Sequence, residues 1–408
     1  LLRAVPPPTS VRRLQAHYFF IYAVLGSVTP YLTIYLRDQK GISLADIGII
    51  YAVGQSAVLF MPLLMTYLAD RHRLVRPLLI ALFAINVIAM TVLVGAVGFW
   101  ACLLWIAFNR MATQPQVALG DGLYFTLQAD PAQPRVAFSV VRVWGTIGFI
   151  VPSFVMFGAY YLGGGINWLP GITALFAALG VINAFGLPVR SAPSPKKEDV
   201  KSMPTLEAAK VLARPHLLLF CIGVGTVFFT TMAFYGFYPL YLTNQLGIAE
   251  KWVGPISSIG VGIEILYILA LDKMKRRIGL IGIIALASLA SLFRLACLAY
   301  FPTPFFAVFL QLFHGMTIVG FFIAPVMYLN TFAEAGYRNS IQGLFVVLVG
   351  GVFAIAGNIF AGYMAEVGLL ALFRASLGIC LLGVIFTGLS FVLARRTKAA
   401  AATAAVAD

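Results

Sequence analysis

Charge is what this 408-residue sequence has least of. Asp, Glu, Lys and Arg together make up 10% of it, against about 25% in soluble proteins. A soluble chain of this size has too much surface to cover with so few charges, so that class is excluded. Cysteine and histidine are also scarce, at four residues each. Cys102, Cys221, Cys297 and Cys380 all lie in apolar stretches without C-x-x-C or His-rich spacing. That excludes a disulfide framework or zinc site and leaves small apolar packing residues. His17, His72, His216 and His314 fall in separate segments, with no carboxylate pair beside them. Nothing therefore supports a hydrolytic metal cluster or a nucleophile with its base, and the expectation is no enzyme, no metal and no cofactor. A phosphate-cradling G-x-x-x-x-G-K-[ST] loop is missing too, so ATP-driven work by this chain is unsupported.

Long apolar runs are present instead. Hydrophobic residues are 61% of the chain, and a helix that crosses a bilayer needs about 20 of them in succession. Cutting at charges and Gly/Pro clusters predicts twelve such helices, at residues 14–36, 45–69, 77–97, 99–121, 136–161, 167–187, 216–243, 252–271, 279–300, 304–330, 339–366 and 369–393. None has the alternation of a membrane β-strand, so the expected fold is an all-α membrane protein. No small-residue cleavage site follows the first run, which reads as a retained helix. Lys and Arg mark the cytoplasmic side of such proteins. With the N-terminus inside, twenty-one of them fall in inner loops and tails, against Arg37, Lys40 and Lys251 outside. Both termini are thus expected in the cytoplasm. The same topology accounts for the net charge of +14 without a nucleic-acid partner.

The one long connection, residues 188–215, is rich in Pro, Ser and Lys, with a short helix expected to open at Thr205. It divides the chain into a cytoplasmic N-terminus (1–13), a six-helix bundle (14–187), the central loop (188–215), a second six-helix bundle (216–393) and a cytoplasmic tail (394–408). The halves echo each other. YLADRHRLVRP (67–77) follows the second span, and LALDKMKRRIG (269–279) follows the second span of the other half. Asp70 and Asp272 stand at matching places in these loops, which points to an internal repeat.

On these residues the chain resembles the major facilitator superfamily, whose loop motif G-x-x-x-D-R-x-G-R-R both segments copy loosely, with Thr66 where the first glycine is expected. Within it the chain looks most like the oligosaccharide, nucleoside and phenylpropionate proton symporters. The segments PYLTIYLRDQKGISLADIGIIYAV (30–53), FMPLLMTYLADR (60–71), VRVWGTIGFI (141–150), GIEILYILALDKMKRR (262–277) and FRLACLAYFPTPF (293–305) carry that likeness. The one at 141–150 is most similar to the nucleoside symporters.

An unpaired ionisable group at the centre of a membrane helix costs upwards of ~2.5–3.5 kcal/mol, so such groups tend to be paired and functional. Arg142 leads among them, with five donors and a permanent charge. Thr146, Phe149 and Ser153 follow it at helical spacing on one face. The resemblance implies that Arg142, Thr146 and Phe149 touch substrate; the alternative is an arginine capping a cytoplasmic helix end. Asp121 matches the span-4 acid that partners the span-5 arginine in sugar and phenylpropionate symporters, while its flanking glycines also fit a plain helix terminus. Tyr22 and Tyr235 are candidate walls for a planar ring or sugar face. Glu264 lies mid-span, where a carboxylic acid can load and release a proton. The resemblance groups it with His314 and Arg294 for proton coupling; a structural Glu264–Arg294 pair and a hydrogen-bonded core histidine are the alternatives. Thr317 and Val319 stand where the resembled sugar symporters place a span-10 acid, and Thr230 and Ala233 where nucleoside symporters place a polar pair in span 7. Arg374, near the outer end of the last span, reads as snorkelling to the interface. Asp70, Arg71 and Asp272 are expected to latch the cytoplasmic side.

The resulting expectation is a secondary active transporter with the major facilitator fold. Its two bundles would rock around a midplane cavity to move a small polar solute by alternating access. The resemblance implies proton-coupled symport of a nucleoside-like substrate. The expected setting is a cell inner membrane, as a monomer whose partners are the substrate, protons and the lipid bilayer. A sugar or aromatic-acid symporter, an uncoupled uniporter and a non-transporting sensor on the same fold are the other readings.

Overall fold

The computed structural model describes residues 9–72, 74–129, 135–188, 204–333 and 338–407. Helices occupy each of the predicted intervals, and no strand occurs among the described residues. In chain order they are α1 (Thr9–Val28), α2 (Leu44–His72), α3 (Val75–Gly95), α4 (Gly98–Ala129), α5 (Phe138–Tyr161) and α6 (Leu169–Phe185). They continue with α7 (Pro215–Leu240), α8 (253–278), α9 (280–300), α10 (Pro304–Asn330), α11 (Ser340–Val367) and α12 (Leu369–Ala407). A short helix, Pro204–Leu212, opens in the central connection where the sequence placed one.

Hydrocarbon offers no partner for backbone N–H and C=O groups, and a helix satisfies them all within itself. Among the described residues nine helical stretches are long and apolar enough to cross a membrane, or ten if α1 and its continuation Leu32–Gln39, bent by 42°, form one span. α8 and α9 run together in that count, parted at Gly279, whose φ of 70° leaves helical geometry. α4 stands apart because Asn109, Arg110, Thr113, Gln114, Gln116 and Asp121 make it polar along its length. Large apolar side chains such as Leu63, Ile88, Phe108, Ile182 and Leu269 remain exposed, as a lipid-facing surface requires. The four cysteines are free and buried.

The chain forms two compact units, one of Leu1–Lys196 with Ile248–Val261, the other of Lys197–Gly247 with Gly262–Asp408. In the first, α1 packs on α5 and α6, α2 on α4, and α3 on α4 and α6. The α1–α5 contact is backbone to backbone. A Cβ on Gly148 would lie 2.1 Å from the Phe19 carbonyl oxygen, and one on Gly26 2.2 Å from that of Phe149. The start of α8 also belongs to this unit. There the Tyr160 hydroxyl donates to Glu250 at 2.8 Å, and the Gly254 N–H donates to the Tyr31 hydroxyl oxygen at 3.1 Å. The rings of Phe157 and Trp252 meet at 4.9 Å, and the Lys251 ammonium lies 4.5 Å from the Tyr161 ring centre. In the second unit α7 packs on α11 and α12.

The repeat reaches beyond the aspartate loops. YLRDQKGI (35–42) and YLTNQLGI (241–248) both follow the first helix of their half. Each begins with one π-helical turn, Tyr35–Gln39 and Tyr241–Gln245. Each then closes on a glycine in the left-handed region, Gly41 at φ 64° and Gly247 at φ 66°, a conformation that only glycine adopts at no steric cost.

Candidate functional site

Ionisable and aromatic side chains gather in two clusters, one in each unit. The first forms where α1, α4 and α5 meet. Arg142, in the first turns of α5, donates from Nη2 to the Tyr22 hydroxyl. Its guanidinium carbon lies 4.2 Å from the centre of the Tyr22 ring and 5.8 Å from that of Tyr18. Tyr18 and Tyr22 are one helical turn apart and so share a face of α1. The Tyr18 hydroxyl donates to Asp121 on α4. Arg142 is thus held between two rings, a cation–π arrangement, with a carboxylate one tyrosine away. Gly145 makes room for it: a Cβ there would sit 2.7 Å from Arg142 Nη1 and 2.8 Å from Tyr22 Cδ2. Thr146 and Phe149 continue along α5, both half-buried.

One alternative read from the sequence falls away here. Asp121 does not terminate its helix, because α4 runs on to Ala129. Arg142, in the first turns of α5, donates to Tyr22 and lies beside the Tyr18 ring. Sequence reasoning passed over Tyr18 and Gly145. Spacing marked only shared helix faces, Tyr18 at i−4 from Tyr22 and Gly145 at i+3 from Arg142, and not the contact with Asp121. Arg110, eleven residues before Asp121 on α4, packs beside Gly54 of α2.

The second cluster joins α7, α8, α9 and α10. Glu264 Oε2 lies 3.9 Å from His314 Nε2. A Cβ on Gly315 would fall 2.7 Å from the Glu264 Cα and 2.5 Å from the Tyr267 ring, so α10 approaches α8 closely here. Arg294 is 4% exposed, lies 4.0 Å from the centre of the Phe234 ring and donates from Nη1 to the Thr317 hydroxyl at 3.2 Å. That hydroxyl donates in turn to the His314 carbonyl at 2.7 Å. Arg294 Nε and Nη2 and His314 Nδ1 are buried without a hydrogen-bond partner. Tyr235 meets His314 edge to face at 5.7 Å. Glu264 thus approaches His314, the histidine that the resemblance grouped with it.

Of the latch residues, Arg71 is exposed near the end of α2 and bonds the Tyr67 hydroxyl one turn back. Asp272 is exposed near the end of α8. Asp70 lies in the last turn of α2, and its side chain falls outside those described. Arg374 is exposed, 5.7 Å from the Tyr300 ring centre, in keeping with snorkelling. No group of three or more metal-ligating side chains occurs among the described residues.

Charged and aromatic side chains thus gather inside each of the two compact units of a many-helix membrane protein. The chain belongs to the MFS_1 like family, which matches residues 11–375. It is similar to the xanthosine permease of Escherichia coli (strain K12), 26% identical over 374 residues that cover 87% of both chains. It is equally similar to the nucleoside permease NupG of the same organism, 26% identical over 376 residues and again 87% of both. The crystal structure of the nucleoside transporter NupG matches with a TM-score of 0.82 at 22% identity, over 94% of this chain and 99% of that one.

Proposed function

We propose that the protein is a proton-coupled secondary transporter that moves a nucleoside-like solute by alternating access. The observation that carries this reading is the Arg142 cluster. A permanently charged fork is set between the rings of Tyr18 and Tyr22, beside Asp121 and on the same helix face as Thr146 and Phe149. Such a surface offers donors to hydroxyl and carbonyl oxygens and flat faces to a base or ribose. Two relatives named for xanthosine and for nucleosides support the same substrate class. Within the second unit, Tyr235 is the aromatic residue assigned to substrate, its ring edge to face with His314. Glu264, 3.9 Å from His314, is the acid assigned to carry the proton. Asp70, Arg71 and Asp272 act as the cytoplasmic latch. The setting is an inner membrane with both termini cytoplasmic, and the protein works as a monomer.

The test is thermal-shift screening of the purified protein against nucleosides, sugars and aromatic acids, repeated with Arg142→Ala. Ligand at 100 times its Kd stabilises by about 2.7 kcal/mol, an easily seen shift. A nucleoside response lost in the variant supports both substrate class and site. Responses to sugars or aromatic acids alone move the assignment to those solutes, and no response from folded protein points to a sensor.

A further inference from the structure

Tyr18 touches both charged residues of the first cluster. It is fully buried, its hydroxyl donates to Asp121, and its ring lies 5.8 Å from the Arg142 guanidinium carbon. The titratable and charged groups packed around this contact are these. From α1 come Tyr22, whose hydroxyl accepts from Arg142, and His17, whose ring lies against Gly120. From α5 comes Arg142 itself. Tyr124, one turn further along α4, donates to the Val136 carbonyl at 2.6 Å. Tyr51, the ionisable group that α2 brings to α4, lies by Arg110 instead. From α3, Phe83 packs on His17.

We propose that Tyr18 is a positioning residue that couples protonation of Asp121 to the hold on Arg142, which places a proton switch within the first unit. An ionised carboxylate is an acceptor only and draws on the phenol O–H; once protonated it has a donor of its own. A phenol whose O–H is drawn toward a carboxylate has an electron-richer ring, and such a ring holds a cation more firmly. Protonation of Asp121 therefore weakens the hold of the Tyr18 ring on Arg142 and lets the guanidinium reorient more readily toward a solute. Reciprocity then requires that a solute bound to Arg142 changes the proton affinity of Asp121. The use of this link in transport rests on the function proposed above, and it adds a second proton-exchanging acid to Glu264. The link itself exists without a solute.

The test is an infrared pH titration of the full-length protein that follows the carboxylic C=O band assigned by its loss in Asp121→Asn. Tyr18→Phe keeps the ring and removes only the O–H. Its expected effect is to raise the Asp121 midpoint by about one pH unit, tenfold in proton affinity. Arg142→Gln also raises the midpoint, but by less when Tyr18→Phe is already present, because one path between the two charges is gone. An unmoved midpoint in Tyr18→Phe overturns the proposal. So does an Arg142→Gln shift of the same size in both backgrounds, which would mean a direct action through space. Nucleoside thermal shifts on the unsubstituted protein report separately on function. If the midpoints move as expected and no nucleoside binds, the transport reading falls and the Tyr18 link stands.

Discussion

Gly148→Ala is the most exacting test of how the first unit is held together. The added methyl carbon would lie 2.1 Å from the Phe19 carbonyl oxygen and 2.8 Å from the Phe19 Cα and C. All three are backbone atoms, so no side chain can swing aside. Reaching ordinary contact requires α1 and α5 to part by roughly 1 Å. Overpacking of this kind costs about 1–3 kcal/mol, offset by about 0.5–1 kcal/mol for replacing glycine with alanine in a helix. The net expectation is a loss of about 1–2 kcal/mol. Gly158→Ala is the internal control. It lies on the same helix, and its Cβ meets nothing within 4 Å, so only the helix-forming gain remains. Thermal unfolding of both variants in one detergent, followed by tryptophan fluorescence, decides the matter. The parting would also draw Tyr18 and Tyr22 away from Arg142, so ligand-induced stabilisation should shrink in Gly148→Ala and persist in Gly158→Ala. A Gly148→Ala protein that melts as high as Gly158→Ala would refute the backbone-contact argument.

Three further outcomes are expected. Arg142→Lys keeps the charge but loses the planar fork that lies over Tyr22, and uptake should show a KM about tenfold higher; an unchanged KM would mean that only the charge matters. Glu264→Gln should abolish accumulation against a gradient in proteoliposomes while sparing solute exchange, and accumulation that survives would place the coupling acid elsewhere. Arg294→Met replaces a buried cation that has two unpartnered nitrogens among the described residues with an apolar side chain of similar reach, removing the cost of a desolvated charge at the loss of one hydrogen bond to Thr317. Its melting temperature should hold while proton-driven uptake falls. A marked loss of stability would show that Arg294 has a structural role.

Helix positions were legible because one physical rule governs them: lipid demands long apolar runs, and charges punctuate them. Arg142, Asp121, Glu264 and His314 stood out for the same reason, as polar residues in apolar surroundings. Pairings were less legible. Nothing in the spacing says that Tyr18, one tyrosine among seventeen, joins Asp121 to Arg142, because that contact depends on how three helices cross. The extent of α4 was misjudged at Gly120 and Gly122, which read as a terminus. The helix continues because glycine in a packed helix can serve close approach as well as termination, and His17 lies against Gly120. The corner at 35–42 escaped notice because its register is offset from that of the aspartate loops, and only the shared left-handed glycine makes the two copies plain.

Those two corners carry a consequence for engineering. Between the copies Arg37, Asp38 and Lys40 have become Thr243, Asn244 and Leu246, while Tyr, Leu, Gln, Gly and Ile hold their places. In both, the glycine N–H returns to the carbonyl four residues back, at 3.0 Å from Gly41 to Arg37 and 3.1 Å from Gly247 to Thr243. What endures is a hinge-pin of backbone geometry, indifferent to the charge it displays. The eight residues are therefore the natural segment to exchange between the halves: a graft of 241–248 into 35–42 should keep the path of the chain while giving up the bond from the Lys40 ammonium to the Val94 carbonyl.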